Sequence, residues 1–347
     1  MSSSIYDIAK KTGLSVVTVS RVLNNYPSVK EVNREKVLAA MKELNYVPNA
    51  AARNLAKGKT GMIGLLMPNY MDAFMIDVMS SVEEALKDRG LFLAISTASD
   101  LRALAETGNF IGDRVDGLLI MNPFLDLHFI QELKKREIPM VFLDLHQINV
   151  KVPTVTVDNF QGGYDATEVL IKGGAHRIAH ITGNNIFESS RERTEGYLQA
   201  LRDYKMPIDP SLIIEGEFKV SDGYDVTKQW IKSGSIPDAV FAGDDNIAFG
   251  VLDAARESGI DVPNTLSIIG FDDHPFTAQL HPSLSTVKQP TEEMGQYGVS
   301  LLLDIIDKKL KKISKTVLTP TVIQRDTTLL NGDSYKIVYE NHYKQTD

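Results

Sequence analysis

From Met62 to Asp272 the chain alternates short apolar runs with longer amphipathic stretches, and this constrains its fold more than any other feature. The runs are MIGLLM at 62–67, FLAIS at 92–96, DGLLIM at 116–121 and PMVFLD at 139–144. The cycle then restarts with TVTVD at 154–158, RIAHIT at 177–182, DAVFAG at 238–243 and LSIIGFD at 266–272. Apolar strands separated by amphipathic helices imply parallel sheets covered on both faces. One such sheet does not account for so long a stretch, and the cycle runs twice, so the pattern predicts two α/β lobes.

The first sixty residues read differently. Ile5, Ile8 and Ala9 share one face of a first short helix, and Gly13 can take the left-handed turn after it without steric cost. Ser15 stands where an N-cap would open a second helix, whose apolar face is Val19, Val22 and Leu23. Val17, Arg21 and Asn24 recur on its opposite face. That is a helix-turn-helix, in which the second helix can enter a DNA major groove; a plain helical hairpin is the alternative. Tyr26-Pro27 ends the second helix. A third is expected from about Val32 to Leu44, with an apolar stripe of Val37, Leu38, Met41 and Leu44. The segment NAAARNLAKGKT at 49–60 favours helix but has little to bury, so in isolation it reads as a frayed connector.

Charge follows the same division. Residues 1–60 hold 10 Lys/Arg and 4 Asp/Glu, net +6, while the remaining 27 basic and 41 acidic residues give −14. A basic head on an acidic body suits a nucleic-acid module joined to a body that avoids DNA. No apolar stretch has the length of a membrane span, and MSSSIYDIAKK lacks the basic start and apolar core of a signal peptide, so a cytoplasmic location and no membrane contact are expected. With no cysteine, disulfides and thiolate metal sites are excluded.

TVSRVLN at Thr18–Asn24, together with YDIA at Tyr6–Ala9, resembles the signature of the lactose-repressor/galactose-repressor family of bacterial regulators. The resemblance implies DNA contacts from Tyr6, Ser15, Val16, Val17, Thr18, Ser20, Arg21 and Asn24. Arg21 can bond guanine O6 and N7, whereas Val16 and Val17 offer only apolar contact, for example to a thymine methyl. It also gives segment 49–60 a role, as a hinge helix that folds on DNA, with Leu55 wedged between base pairs and Arg53 reaching phosphate or the groove floor. The implied organisation is a helix-turn-helix head over 1–48, the hinge over 49–60, and a two-lobed body over 61–328 like that of periplasmic sugar-binding proteins. Lobe one would comprise about 61–160 and 289–319, lobe two about 161–288 and 320–328, with crossings near Asn159, Gln289 and Pro320; the tail 329–347 is unassigned.

Ligands of open α/β sheets sit beyond the carboxyl ends of strands. Asp72, Phe74, Phe218, Asp244 and Asp245 fall at such positions, as do Arg193 and Asp272. Carboxylates, an arginine and aromatic rings suit a sugar, whose hydroxyls need polar partners and whose C–H faces need rings. Arg193 in RTEGY and Asp272 in GFDD match the family's effector-binding arginine and aspartate. Asp245 is expected to cap the helix NIAFGVLDAA, leaving Asp244 to face the cleft, though AGDDN departs from the family's usual A-N-D and leaves the ligand's identity open. Phe74 and Phe218 are equally suited to a core, Trp230 reads as core, and His176 and His180 are unpersuasive metal ligands because His180 lies in a strand pattern.

No phosphate loop, dinucleotide fingerprint or nucleophile elbow occurs, so neither an enzyme nor a cofactor is expected. The expected function is a dimeric repressor binding a pseudo-palindromic operator and switched by a small sugar. Control by a purine, a nucleoside or a phosphoprotein stays open. A sugar transport protein would explain the body but not the head.

Overall fold

The structure, a computed structural model, describes residues 4–23, 26–46, 59–68, 73–98, 114–122, 127–145, 152–309 and 315–329. The expectations placed on Asn24, Arg53, Leu55, Asp72, most of the 49–60 segment and the tail after Leu329 fall outside them. The chain divides into two compact units, Met1–Gly61 and Met62–Asp347.

The first unit holds α1 (Ile5–Thr12), α2 (Val16–Leu23) and α3 (Glu31–Glu43). Helix α1 starts at a reciprocal cap: Asp7 N–H donates to Ser4 Oγ at 3.4 Å and Ser4 N–H donates to Asp7 Oδ2 at 2.8 Å. It ends at Gly13, whose φ of 70° is the turn that only glycine adopts cheaply. Ser15 then caps α2, its Oγ accepting from Thr18 N–H at 3.1 Å. Ile8, Ala9, Val19, Val22, Val37 and Ala40 close a small core, with Val16, Leu23, Met41 and Leu44 packed around it. Leu38 departs from its expected place in the α3 stripe and is 52% exposed. Its position lies about 100° around the helix from Val37, outside the narrow face that two short helices can cover.

The second unit is the two-lobed α/β body that the repeated cycle predicts. Lobe one is built on β1 (Met62–Pro68), β2 (Phe92–Ala98), β3 (Gly117–Ile120), β4 (Met140–Leu143) and β5 (Thr154–Val157), with α4 (Ala73–Lys87) and α5 (Leu127–Lys135) between strands. In lobe two, α6 (Asn159–Lys172), β6 (Ile178–Thr182), α7 (Glu188–Asp203), β7 (Ile213–Glu215), α8 (Val220–Ser233), β8 (Ala239–Ala242), α9 (Asp245–Glu257) and β9 (Ser267–Ile269) follow in turn. The chain continues through β10 (Thr286–Lys288), α10 (Thr291–Ile306), β11 (Lys315–Leu318) and β12 (Thr321–Ile323).

Among the described residues the lobe-one sheet has the order β11-β5-β4-β3-β1-β2 and the lobe-two sheet β7-β6-β8-β9, and every pairing within each is parallel. The chain therefore passes between lobes three times: from β5 into α6, from β10 into α10, and from β11 into β12, which pairs antiparallel with β10. Helix α10 is returned to lobe one, where Met294, Val299 and Leu302 join the core of Ile63, Leu65, Val78 and Val141. The strands are apolar on both faces, with Gly117–Ile120, Met140–Leu143 and Ala239–Ala242 fully buried, as helix-covered parallel strands must be.

Helices α6 and α7 approach backbone to backbone. A Cβ on Gly196 would lie 2.1 Å from Phe160 O, and one on Gly163 would lie 2.3 Å from Arg193 O. Gly196→Ala therefore forces the helices apart, with an expected loss of about 1–3 kcal/mol. A lower denaturant midpoint at unchanged m-value checks it.

Candidate functional site

The crossings set the geometry of the cleft. Asn159 opens α6 directly after the first crossing, and Gln289 lies at the second. Arg193, on the second turn of α7, reaches back to Asn159 at the first crossing and is 5% exposed. Its Nε donates to Asn159 Oδ1 at 2.9 Å and its Nη1 to Gly243 O at 2.7 Å. The guanidinium carbon sits 3.6 Å from the centroid of the Phe271 ring. Nη2 lies 3.6 Å from Asp272 Oδ1, an ion pair but too long for a hydrogen bond.

Asp272 follows β9 with φ 110°, a backbone region that costs a non-glycine residue energy and is found at functional positions. Its Oδ1 accepts from Gln289 Nε2 at 2.6 Å. Gln289 is 2% exposed, and its Oε1 has no hydrogen-bond partner. A buried amide oxygen without a donor is unfavourable, so a ligand hydroxyl or N–H that supplied one would be held there. The cluster thus presents a donor fork, a carboxylate and an unsatisfied acceptor, which is what a polyhydroxylated molecule needs.

The structure brings Arg193 and Asp272 together, as their motifs imply. Asn159 and Gln289 complete the cluster and were not singled out from sequence. Their partners are 34 and 17 residues away in the chain. Only the crossings that the family resemblance places near Asn159 and Gln289 could have drawn attention to them.

The cap expected of Asp245 falls instead to its neighbour Asp244. Asp244, not Asp245, caps α9: it is extended at φ −149° and ψ 177°, and its Oδ1 accepts from Ile247 N–H at 2.8 Å. The helix begins one residue earlier than expected, so Asp245 is inside it, 2% exposed, and turned into lobe two. There its carboxylate accepts from Thr286 Oγ1 and from His274 N–H, each at 2.7 Å. Nearby, Asp273 Oδ1 takes Arg325 Nη2 at 2.7 Å.

Burial raises the Asp245 carboxyl well above its ordinary 3.8, and the nearby charges of Asp244 and Asp273 add to the rise. The unfolded chain then loses this proton before the folded one does, so the group's contribution is full below about pH 3.8 and is lost as pH rises toward the folded value. Asp245→Asn should flatten that part of the stability–pH curve, read from urea midpoints at successive pH values.

Phe74 is 7% exposed within the lobe-one core, which removes it from the open wall of the cleft. Phe218 is half-buried, and its ring lies against Gly183 at the carboxyl end of β6. Trp230 belongs to the lobe-two core. His180 is a core histidine: its Nδ1 lies 2.9 Å from Phe241 O, its ring stacks on Phe241, and burial pushes its pKa down to about 4.

In the head, Tyr6 and Val17 are 70% and 61% exposed and Arg21 is exposed. Thr18 and Ser20 are half-buried beside them. Val16 is half-buried and packs on the head core, so less of it is free for contact than of Val17. Among the described residues no helix is long and apolar enough to cross a membrane.

A helix-turn-helix head followed by a two-lobed binding body defines a DNA-binding transcriptional regulator, and comparison with known proteins agrees. The family described as "Bacterial regulatory proteins, lacI family" matches residues 4–49, and "Periplasmic binding protein-like domain" matches residues 167–328. Catabolite control protein A of Priestia megaterium is 32% identical over 94% of this chain and 100% of its own. The lac repressor dimer bound to operator and the anti-inducer ONPF superposes with TM-score 0.84 at 29% identity, over 95% of this chain and 100% of that one. A transcriptional regulator CelR–cellobiose complex is similar at TM-score 0.71 and 30% identity, over 94% and 99% of the two chains. The chain belongs to the lacI family of bacterial regulatory proteins.

Proposed function

We propose that the chain is a cytoplasmic, homodimeric repressor of carbohydrate-utilisation genes whose operator affinity is set by a small sugar bound between its lobes. The observation that carries the sugar reading is the buried cluster of Arg193, Asp272 and Gln289, with its unsatisfied amide oxygen. The half-buried Phe218 supplies an aromatic surface for C–H faces, and Asp244 and Asp72 are assigned supporting positions around the same cleft. A relative held in complex with cellobiose supports the same class of ligand.

The division assigned is a DNA-binding head over 1–48, a hinge over 49–60 and a body over 61–328. In the head, Tyr6, Ser15, Val16, Val17, Thr18, Ser20, Arg21 and Asn24 face one half-site of a pseudo-palindrome, and Arg53 and Leu55 of the hinge enter the minor groove. The dimer places two heads on the two half-sites. Ligand changes the relation of the lobes and thereby of the heads; a coupling of about 1–3 kcal/mol is enough for a useful switch.

A thermal-shift screen of the full chain against mono- and disaccharides, with purine bases and nucleosides in parallel, tests the ligand class. At a hundred times its dissociation constant a bound sugar adds about 2.7 kcal/mol and raises the melting temperature visibly. A shift with purines alone would replace the sugar by a purine effector.

A further inference from the structure

Phe187 stands where the chain turns from β6 into α7, with an extended backbone at φ −82° and ψ 130°. Its ring is half-buried and has apolar neighbours on both sides. On the lobe-two side it meets Phe218 edge-on, with centroids 5.7 Å apart and planes at 75°. On the other side it packs against the lobe-one core that contains Phe74, Met75 and Met294. Phe218 is a fixed support for it. Its φ is 61°, and its ring presses so closely on Gly183 that a Cβ there would fall 1.8 Å from the ring's Cζ. Phe187 is thus a half-buried lobe-two side chain packed against the core of lobe one.

We propose that Phe187 is an aromatic latch that holds the two lobes closed in the absence of ligand. Opening the cleft would withdraw the ring from the lobe-one core and return both surfaces to water, which is unfavourable. The edge-to-face contact with Phe218 keeps the ring presented in the seated direction, so little side-chain freedom is lost on closing. The latch sets the open-to-closed ratio on which any ligand of the cleft acts. That consequence rests on the ligand-between-lobes reading above; the latch itself is a property of the ligand-free chain.

The chain has no cysteine, so Lys135→Cys and Arg256→Cys supply the only two labelling sites. They lie on α5 of lobe one and α9 of lobe two, with 71% and 76% of their side chains exposed. Spin labels on this pair are measured by double electron–electron resonance in the full chain, diluted with unlabelled chain so that each dimer carries one labelled copy. The parent should show one narrow distance, and Phe187→Ala should add a second, longer population by raising the open-to-closed ratio roughly tenfold. Phe218→Leu, which removes the support and leaves Phe187 in place, should add the same population to a smaller extent, and decides the matter if Phe187→Ala does not fold. Distributions in the variants that superpose on the parent's would overturn the latch. No sugar is added, so a longer distance in Phe187→Ala beside a sugar panel without thermal shift would keep the latch and remove the sugar effector.

Discussion

Arg193→Ala is expected to lose about 3–5 kcal/mol of stability and to abolish the response to effector. The guanidinium is buried, donates to Asn159 Oδ1 and Gly243 O, pairs with the Asp272 carboxylate and lies over the Phe271 ring. Alanine removes the cation and leaves the Asp272 charge nearly buried without it, which costs more than the pair itself contributes. Arg193→Lys should recover part of the stability by restoring charge. It should not restore the response, because an ammonium on a flexible stem cannot satisfy three partners set around a planar fork. Urea midpoints of the two variants, read beside sugar-dependent thermal shifts, check both statements. Equal responses in the lysine variant and the parent would show that charge alone suffices.

Arg21→Ala is expected to weaken operator binding by about 1–3 kcal/mol, roughly five- to 150-fold, with no change in the fold of the head. Arg21 is exposed on α2 while Val19 and Val22 of the same helix are buried, so its truncation leaves the core untouched. If Arg21 reads guanine, the loss should be concentrated on the intended site. If it meets phosphate, all sequences should weaken together and the salt dependence should fall by about one ion. Fluorescence anisotropy at several fixed salt concentrations distinguishes the two. Unchanged circular dichroism confirms that the loss is one of contact.

These two arginines show how much of the protein its sequence discloses. Both stand in local spellings, TVSR and RTEGY, whose geometry is fixed within a few residues by a turn or a helix start. The lobe strands were legible for the same reason: a buried parallel strand must be apolar on both faces, and Met62–Met67 or Ala239–Ala242 can be little else. The short β10–β12 pair was not legible, because Thr286–Lys288 and Thr321–Ile323 carry no run long enough to signal a strand. Asp244 and Asp245 are chemically identical neighbours, and which one caps depends on where the helix starts, which sequence leaves uncertain by a residue. Asn159 and Gln289 acquire their meaning only from partners in distant elements, brought in by the chain's passage between lobes. Leu38 shows the opposite error, an apolar residue at nearly helical spacing that stays 52% exposed.

The measurement that tests the regulatory reading most directly is an operator titration of the full chain at one salt concentration, with and without each sugar that shifts its melting temperature. A sugar bound at the Arg193–Asp272–Gln289 cluster should change operator affinity about five- to 150-fold in the parent and leave it unchanged in Arg193→Ala. Superposed parent isotherms with and without a sugar that demonstrably binds would contradict it, for the cleft would then be a binding site with no connection to DNA.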